Sequence, residues 1–269
     1  MQKITPFLWF NNNAEASNFY ISLFKNSKIE NISYYGETGG KVSGKPKGSI
    51  MTVLFKLDGQ NFIAINGGPK FTFTPAVSFF VNCETSQELS ELWKSLSDGG
   101  TVLMEFDKYP FSEKFGWLED KYGISWQLNL TSRPQKIALF LMFFGNQYGK
   151  AEEAMNFYLS LFKQSRVINI EHYGVGDNEP EGKVKRIIFS LDGHEFMAFD
   201  SNMDHHFTFT PAISFVVNCE TQEEINYLWE KFSRKGTPEQ CGWIKDKYGV
   251  SWQIVPVILG QMLEADVRS

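Results

Sequence analysis

Side chains able to do chemistry are few in this 269-residue chain and unevenly spread. All four histidines, His172, His194, His205 and His206, fall in the second half. The cysteines Cys83, Cys219 and Cys241 form no CxxC pair and stand at no metal-ligand spacing. Cys83 and Cys219 each close a strand-like run and are read as small buried hydrophobes. Cys241 has no activating histidine or lysine beside it. No HExxH or GxSxG motif occurs, and no GxGxxG or Walker loop opens a helix after a strand. Gly39, Gly40, Gly44 and Gly48 are read as parts of a polar connecting loop. What stands out instead is an apolar surface with a few amides and hydroxyls. Strand alternation puts Phe7 and Trp9 on one face, with Phe140 and Met142 matching them in the second half, and puts Ser125, Gln127 and Asn129 on one face of the last strand. A small-molecule cleft is built in this way, from apolar walls and a few convergent polar groups. The candidate lining is therefore Phe7, Trp9, Asn66, Ser125, Gln127, Met142, Asp200, His206, Ser251 and Gln253. Its polar members group as Asn66, Ser125 and Gln127, or as Asp200, Ser251 and Gln253, with Asp200, His206 and Gln253 converging as a further grouping. Each also reads as ordinary core or loop, and none declares itself catalytic.

The elements that position these residues come in two copies. Asn18-Phe-Tyr and Ser22-Leu-Phe-Lys25 return as Asn156-Phe-Tyr and Ser160-Leu-Phe-Lys163. Leu57-Asp-Gly59 returns as Leu191-Asp-Gly193, and Phe71-Thr-Phe-Thr-Pro-Ala76 returns unchanged from Phe207 to Ala212. Asp120-Lys-Tyr-Gly, followed by Ser125-Trp-Gln127, returns as Asp246-Lys-Tyr-Gly and Ser251-Trp-Gln253. The chain is a tandem duplication, with domains over 1–132 and 136–269 and the polar stretch Thr131–Lys136 between them. The second copy lacks a counterpart of Leu103–Ser112. Within each copy a strand, a helix with one apolar stripe and further strands joined by an Asp-Gly turn read as βαβββ, twice over. Phe19, Trp93, Phe157 and Trp229 are read as core on those helix stripes.

Composition limits the function classes. Formal charge is −5, without a block of like charges, which argues against sequence-independent nucleic-acid binding. The longest apolar runs, such as 137–144, fall far short of the ~18–20 residues of a membrane span. The first residues lack the apolar core of a signal peptide, so a cytoplasmic protein is expected. Aromatic residues number 42, of which 25 are phenylalanine.

The paired βαβββ modules, the Asn-Phe-Tyr helix and the Tyr-Gly-x-Ser-Trp-Gln ending resemble the vicinal-oxygen-chelate (glyoxalase/bleomycin-resistance) superfamily. The phrases Ile4–Phe10, Phe207–Ala212 and Gly242–Gln253 are similar to its PhnB-like branch, labelled 3-demethylubiquinone-9 3-methyltransferase-like. The resemblance implies an α+β fold in which each domain's two modules form a curved mixed sheet around a cleft, the tandem standing as a pseudo-dimer within one monomeric chain. Metal-dependent relatives place His, Glu or Gln on four inward strand positions. Here the first strand offers Ile4–Phe10 or Ile137–Phe144 without a ligand, and only Gln127 and Gln253 keep one. No metal and no other cofactor is expected. A site for a methyl donor is not legible either. The expected partner is a small, partly apolar molecule, with no nucleic acid and no membrane. A metal-independent enzyme working through Asp200, His206 or Cys241, an enzyme with a metal in the second half, or a scaffold with degenerate clefts stand as alternatives.

Overall fold

The computed structural model describes residues 2–132, 137–177 and 179–257; four of the six boundary residues, 133–136, lie outside them. Four modules follow one another. The first runs β1 (Ile4–Phe10), α1 (Ala16–Leu23), β2 (Lys28–Tyr34), α2 (Glu37–Ser43), β3 (Ile50–Leu57) and β4 (Gln60–Asn66). The second is β5 (Val77–Cys83), α3 (Ser86–Ser97), β6 (Thr101–Tyr109), β7 (Ser112–Glu119) and β8 (Ser125–Leu130). The third is β9 (Ile137–Phe143), α4 (Ala151–Leu161), β10 (Arg166–His172), β11 (Val184–Leu191) and β12 (His194–Asp200). The fourth is β13 (Ile213–Cys219), α5 (Gln222–Ser233), β14 (Thr237–Pro238), β15 (Trp243–Lys245) and β16 (Ser251–Pro256).

Local signals explain the elements. Asp58 and Gly59 carry φ of 46° and 79°, and Asp192 and Gly193 carry 44° and 87°, so the Asp-Gly pairs make tight hairpins that need positive φ at both central positions. Helix α3 starts in a capping box, in which Thr85 accepts the Glu88 N–H at 3.2 Å and the Glu88 carboxylate accepts the Glu84 N–H at 3.1 Å. Thr221, Glu224 and Glu220 repeat this arrangement at α5. The glycine stretch read as a loop is instead partly helical. Gly40 is buried in α2 where a Cβ would press on the Lys45 carbonyl, and Gly44 ends the helix in the left-handed region at φ 65°. The helix stripes are also less buried than expected: Phe19, Trp93, Phe157 and Trp229 are half-buried rather than core.

The strands form two eight-stranded sheets, ordered β14-β15-β16-β13-β1-β4-β3-β2 and β10-β11-β12-β9-β5-β8-β7-β6. Each sheet joins a module from one repeat to a module from the other. The chain accordingly divides into two compact units, one of Met1–Phe73 with Thr210–Ser269 and the other of Thr74–Phe209. The repeats of sequence and the compact units are therefore different divisions of one chain. At each unit's centre two strands from different repeats pair antiparallel, β1 with β13 and β5 with β9. Helices cover one face of each sheet, and the other face bears the cleft. No helix among the described residues is long and apolar enough to cross a membrane.

Candidate functional site

The repeated ending Asp-Lys-Tyr-Gly-x-Ser-Trp-Gln shows how local sequence builds a cleft wall. Asp120 closes the turn by accepting N–H bonds from Tyr122 and Ile124, and its second oxygen accepts the Trp126 indole N–H at 2.9 Å. Trp126 is thereby fixed in the core on the helix side, with 1% of its surface exposed. Alternation then turns Ser125 and Gln127 to the opposite, cleft side. Ser125 Oγ accepts the Trp117 indole N–H at 2.7 Å, and Gln127 Nε2 donates to Ser78 Oγ at 2.8 Å. Asp246 holds Trp252 in the same way, and Gln253 Nε2 donates to Ser214 Oγ at 2.9 Å.

In the unit of Thr74–Phe209 the inner face encloses a cavity of about 320 Å³. Its walls carry the rings of Phe80, Phe111, Phe115, Trp117, Phe140, Tyr173 and Phe199, together with Met104, Met142, Met197 and Met203, half of the chain's eight methionines. Met142 packs with Ala76 and Phe144, and Phe80 stacks on Phe140 at 6.0 Å. Gln127, Asn129, Ser201 and His205 supply polar atoms, and Glu171, Lys185 and Arg186 the charged ones. The charges have partners: Arg186 binds Glu171 at 2.6 Å, which holds that carboxyl below the usual carboxylate range, and Lys185 lies 3.5 Å from Asp177. His205 is clasped edge-on by Phe144 at 4.9 Å and tilted against Phe207 at 5.0 Å, and its Nε2 is 3.1 Å from Ser201 Oγ. Burial lowers the His205 pKa, with Asp204 opposing the shift, so the imidazole is neutral near pH 7.

The other unit, which holds Phe7, Trp9, Asn66, Ser251 and Gln253, presents a cleft face lined by apolar side chains. Phe7 packs with Val216 and Val255, and Trp9, Ile63, Ile65 and Trp243 close over them. Phe7 meets Trp243 edge to face at 5.8 Å, and Trp9 meets Phe71 at 5.0 Å.

The structure corrects four expectations about the site. Asn66 and Asp200 do not face a cleft. Each ends its strand on the helix side, in step with buried Phe62 and Ala64, or Phe196 and Ala198. Asn66 Oδ1 accepts the Ala14 N–H at 2.8 Å, and Asp200 accepts those of Ala151 and Val184, each at 3.1 Å. Both tether the loop that enters a helix. His206 is exposed, and His205 takes the cavity position. Neither polar grouping survives, because Asn66, Ser251 and Gln253 belong to one unit and Ser125, Gln127, Asp200 and His206 to the other. The grouping of Asp200, His206 and Gln253 fails for the same reason. Cys83 and Cys219 are buried, and burial pushes the Cys219 thiol up to about 11; Cys241 is exposed, at φ 57°. Sequence reasoning missed Phe80, Met197 and Phe199, although alternation from Ser78 and from buried Phe196 marks their faces. For Ser201, His205 and the β6–β7 residues Met104 and Phe111 the sequence carries no comparable signal.

A divalent cation does not suit this donor set. The inward positions of the central strands hold Phe140, Met142, Met197, Phe199, Ser78 and Phe80, and Gln127 has its amide nitrogen committed to Ser78. A catalytic divalent site draws three or more protein ligands, whereas no three His, Cys, Asp or Glu side chains cluster among the described residues.

Glyoxalase I from Zea mays superposes on 97% of this chain and 94% of its own with a TM-score of 0.59 at 10% identity, which shows a shared fold. The chain thus has the fold of glyoxalase I, carried as two sequence repeats. More narrowly, the chain belongs to the 3-demethylubiquinone-9 3-methyltransferase family, the PhnB-like branch, whose family model matches it twice, at residues 2–129 and 135–255. A PhnB protein from Bacillus cereus bearing that family description is 48% identical over 48% of this chain and 100% of its own, with a TM-score of 0.45. A Staphylococcus aureus protein is 35% identical over 49% of this chain and 98% of its own, with a TM-score of 0.20. Comparison with curated proteins finds no match.

Proposed function

We propose that the unit of Thr74–Phe209 binds a small, mostly apolar molecule in its inner cavity, without a metal ion. The observation that carries this reading is the cavity itself: about 320 Å³, walled by aromatic rings and four methionines, with a few hydrogen-bonding groups among them. That size lies at the lower end of small-molecule sites. Methionine side chains rearrange at low cost and make favourable contacts with rings, which suits a pocket that adapts to its guest. Gln127, Ser201 and His205 supply orientation. The test is mass spectrometry under native conditions on protein purified from cells, followed by calorimetric titration with the molecules it retains. A stoichiometric guest displaced by Phe140→Trp supports the reading. Failure to bind any apolar probe at millimolar concentration overturns it.

A second reading is favoured by the Ser201–His205 pair: metal-independent proton transfer, with His205 as the base. The base must lie within hydrogen-bond reach of the proton it takes, and a neutral imidazole inside the cavity provides that. Turnover that persists in chelator and disappears in His205→Gln would establish it. The family description names a methyl transfer. We do not extend that activity to this chain, because the glycine stretch forms α2 and its cap rather than a donor-binding loop after a parallel strand.

A further inference from the structure

The cavity wall in the unit of Thr74–Phe209 carries a hydrogen-bond donor that the fold leaves unused. Arg186 stands on β11, on the face it shares with Ile188, and Ile188 packs with Phe80, Phe140 and Met197. Arg186 Nη2 donates to Glu171 Oε1 at 2.6 Å, and the same oxygen accepts from Asn169 Nδ2 at 2.9 Å. An arginine grips a carboxylate best through two parallel N–H bonds, but the Nε–H takes no part in this pair. Nε is buried and has no hydrogen-bond partner among the described residues. A buried donor without an acceptor is costly, and the strand pairing does not require this one. In the first repeat the pair equivalent to Glu171 opposite Arg186 is Ser33 opposite Thr52, two hydroxyls 2.5 Å apart. The same two strands therefore pair there without a charge.

Arg186 also marks a boundary. The apolar cavity of about 320 Å³ and a neighbouring cleft of about 410 Å³ share Phe80, Phe111, Asn129, Arg186 and Met197 in their linings. Beyond that shared wall the second lining turns polar, with Asn82, Thr131 and Asn169. We propose that the guest of the apolar cavity carries an uncharged oxygen acceptor, of the ketone or amide carbonyl class, and that this oxygen takes the Arg186 Nε–H. This rests on the reading of that cavity as a ligand site and adds its guest's chemistry. The acceptor follows from the unspent N–H, which a donor cannot answer. Its neutrality follows from the charges already engaged, Arg186 with Glu171 and Lys185 at 3.5 Å from Asp177, so that a carboxylate would face Glu171 without gaining a cation. Reaching Nε requires a neighbour to move. Met197 lines both cavities and is of the side-chain type that rearranges at low cost.

Calorimetric titration of the full chain with acetophenone, with ethylbenzene (CH2 in place of the carbonyl) and with benzoate tests this. The readout is the ratio of acetophenone to ethylbenzene affinity, in which the contribution of the shared ring cancels. Arg186→Thr combined with Glu171→Ser installs the hydroxyl pair of the first repeat and removes Nε. In that variant the ratio should fall about tenfold, the worth of one hydrogen bond to a charged group. An unchanged ratio overturns the inference and leaves the ligand-site reading standing, as does tighter binding of benzoate than of acetophenone by the unaltered chain. If none of the three probes binds at millimolar concentration, both fall. Where the paired variant does not fold, the arginine Nε–H spectrum of the unaltered chain decides. Acetophenone should shift the Arg186 signal and ethylbenzene should not; equal shifts are the contrary result.

Discussion

Gln127 and Gln253 sit in identical phrases and make equivalent bonds to Ser78 and Ser214, but they belong to different units, and Gln127 lines the cavity of Thr74–Phe209. Gln127→Ala should weaken ligand binding about fivefold, the worth of one neutral hydrogen bond, whereas Gln253→Ala should leave affinity unchanged. Calorimetry on the two variants reads both, and an equal effect would contradict the placement. Asp200 makes a prediction about pH. Burial raises its carboxyl pKa, with the N–H groups of Val184, Ala151 and Gly149 opposing the shift. The folded chain therefore keeps this proton at pH values where the unfolded chain, with an ordinary value of about 3.9, has lost it. The folded state then binds more protons, so the contribution to stability falls as pH rises from about 4 toward the raised value. Asp200→Asn, which places the first repeat's residue here, should remove that fall. Thermal melts from acid to neutral pH should show the variant gaining on the parent chain as pH rises, and a constant difference would refute the assignment.

Hairpin β6–β7 makes the two clefts unequal. In the unit of Thr74–Phe209 strand β6 is nine residues long, and Met104 and Phe111 cover the cavity. In the other unit its counterpart β14 has two residues, so that cover is missing. Phe111 is 57% exposed, stacks on Tyr109 at 5.5 Å and meets Phe115 at 5.2 Å, which marks it as a cover rather than as core. Phe111→Ala should therefore cost less than about 1 kcal/mol of stability while lowering ligand affinity about tenfold through lost apolar contact. A chemical-denaturation curve paired with a binding isotherm checks this, and a large shift in midpoint would show that the ring belongs to the core.

For the whole molecule, the consequence lies in the exchange of modules between repeats. Residues 1–132 alone would leave β1 without β13 and β5 without β9, exposing two central strand edges of the kind that pair with other chains. Because β5 and β13 are near-copies, a second molecule of the same fragment offers the missing partner. The fragment should therefore be a homodimer, with sedimentation giving twice the fragment mass; a folded monomer would contradict it. Much of this architecture is legible in the chain. The duplication, the strand β1, the Asp-Gly hairpins and the two capping boxes follow from local residue types. The alternation that turns Phe7 and Trp9 one way and Trp126 the other is equally local. Parity with Phe62 and Phe196 carried the correct placement of Asn66 and Asp200 as well, where the polarity of their side chains pointed to a cleft.

The sequence by itself determined which modules exist and which face of each strand is polar, because period-two alternation, turn geometry and helix caps act within a few residues of their cause. Tertiary structure alone decided which modules share a sheet. Val77-Ser-Phe-Phe-Val-Asn-Cys83 and Ile213-Ser-Phe-Val-Val-Asn-Cys219 present nearly the same edge to β1. Nothing local distinguishes pairing within a repeat from pairing between repeats. That choice placed Gln127 with Met142 and His205 around one cavity and put Gln253 in the same unit as Trp9.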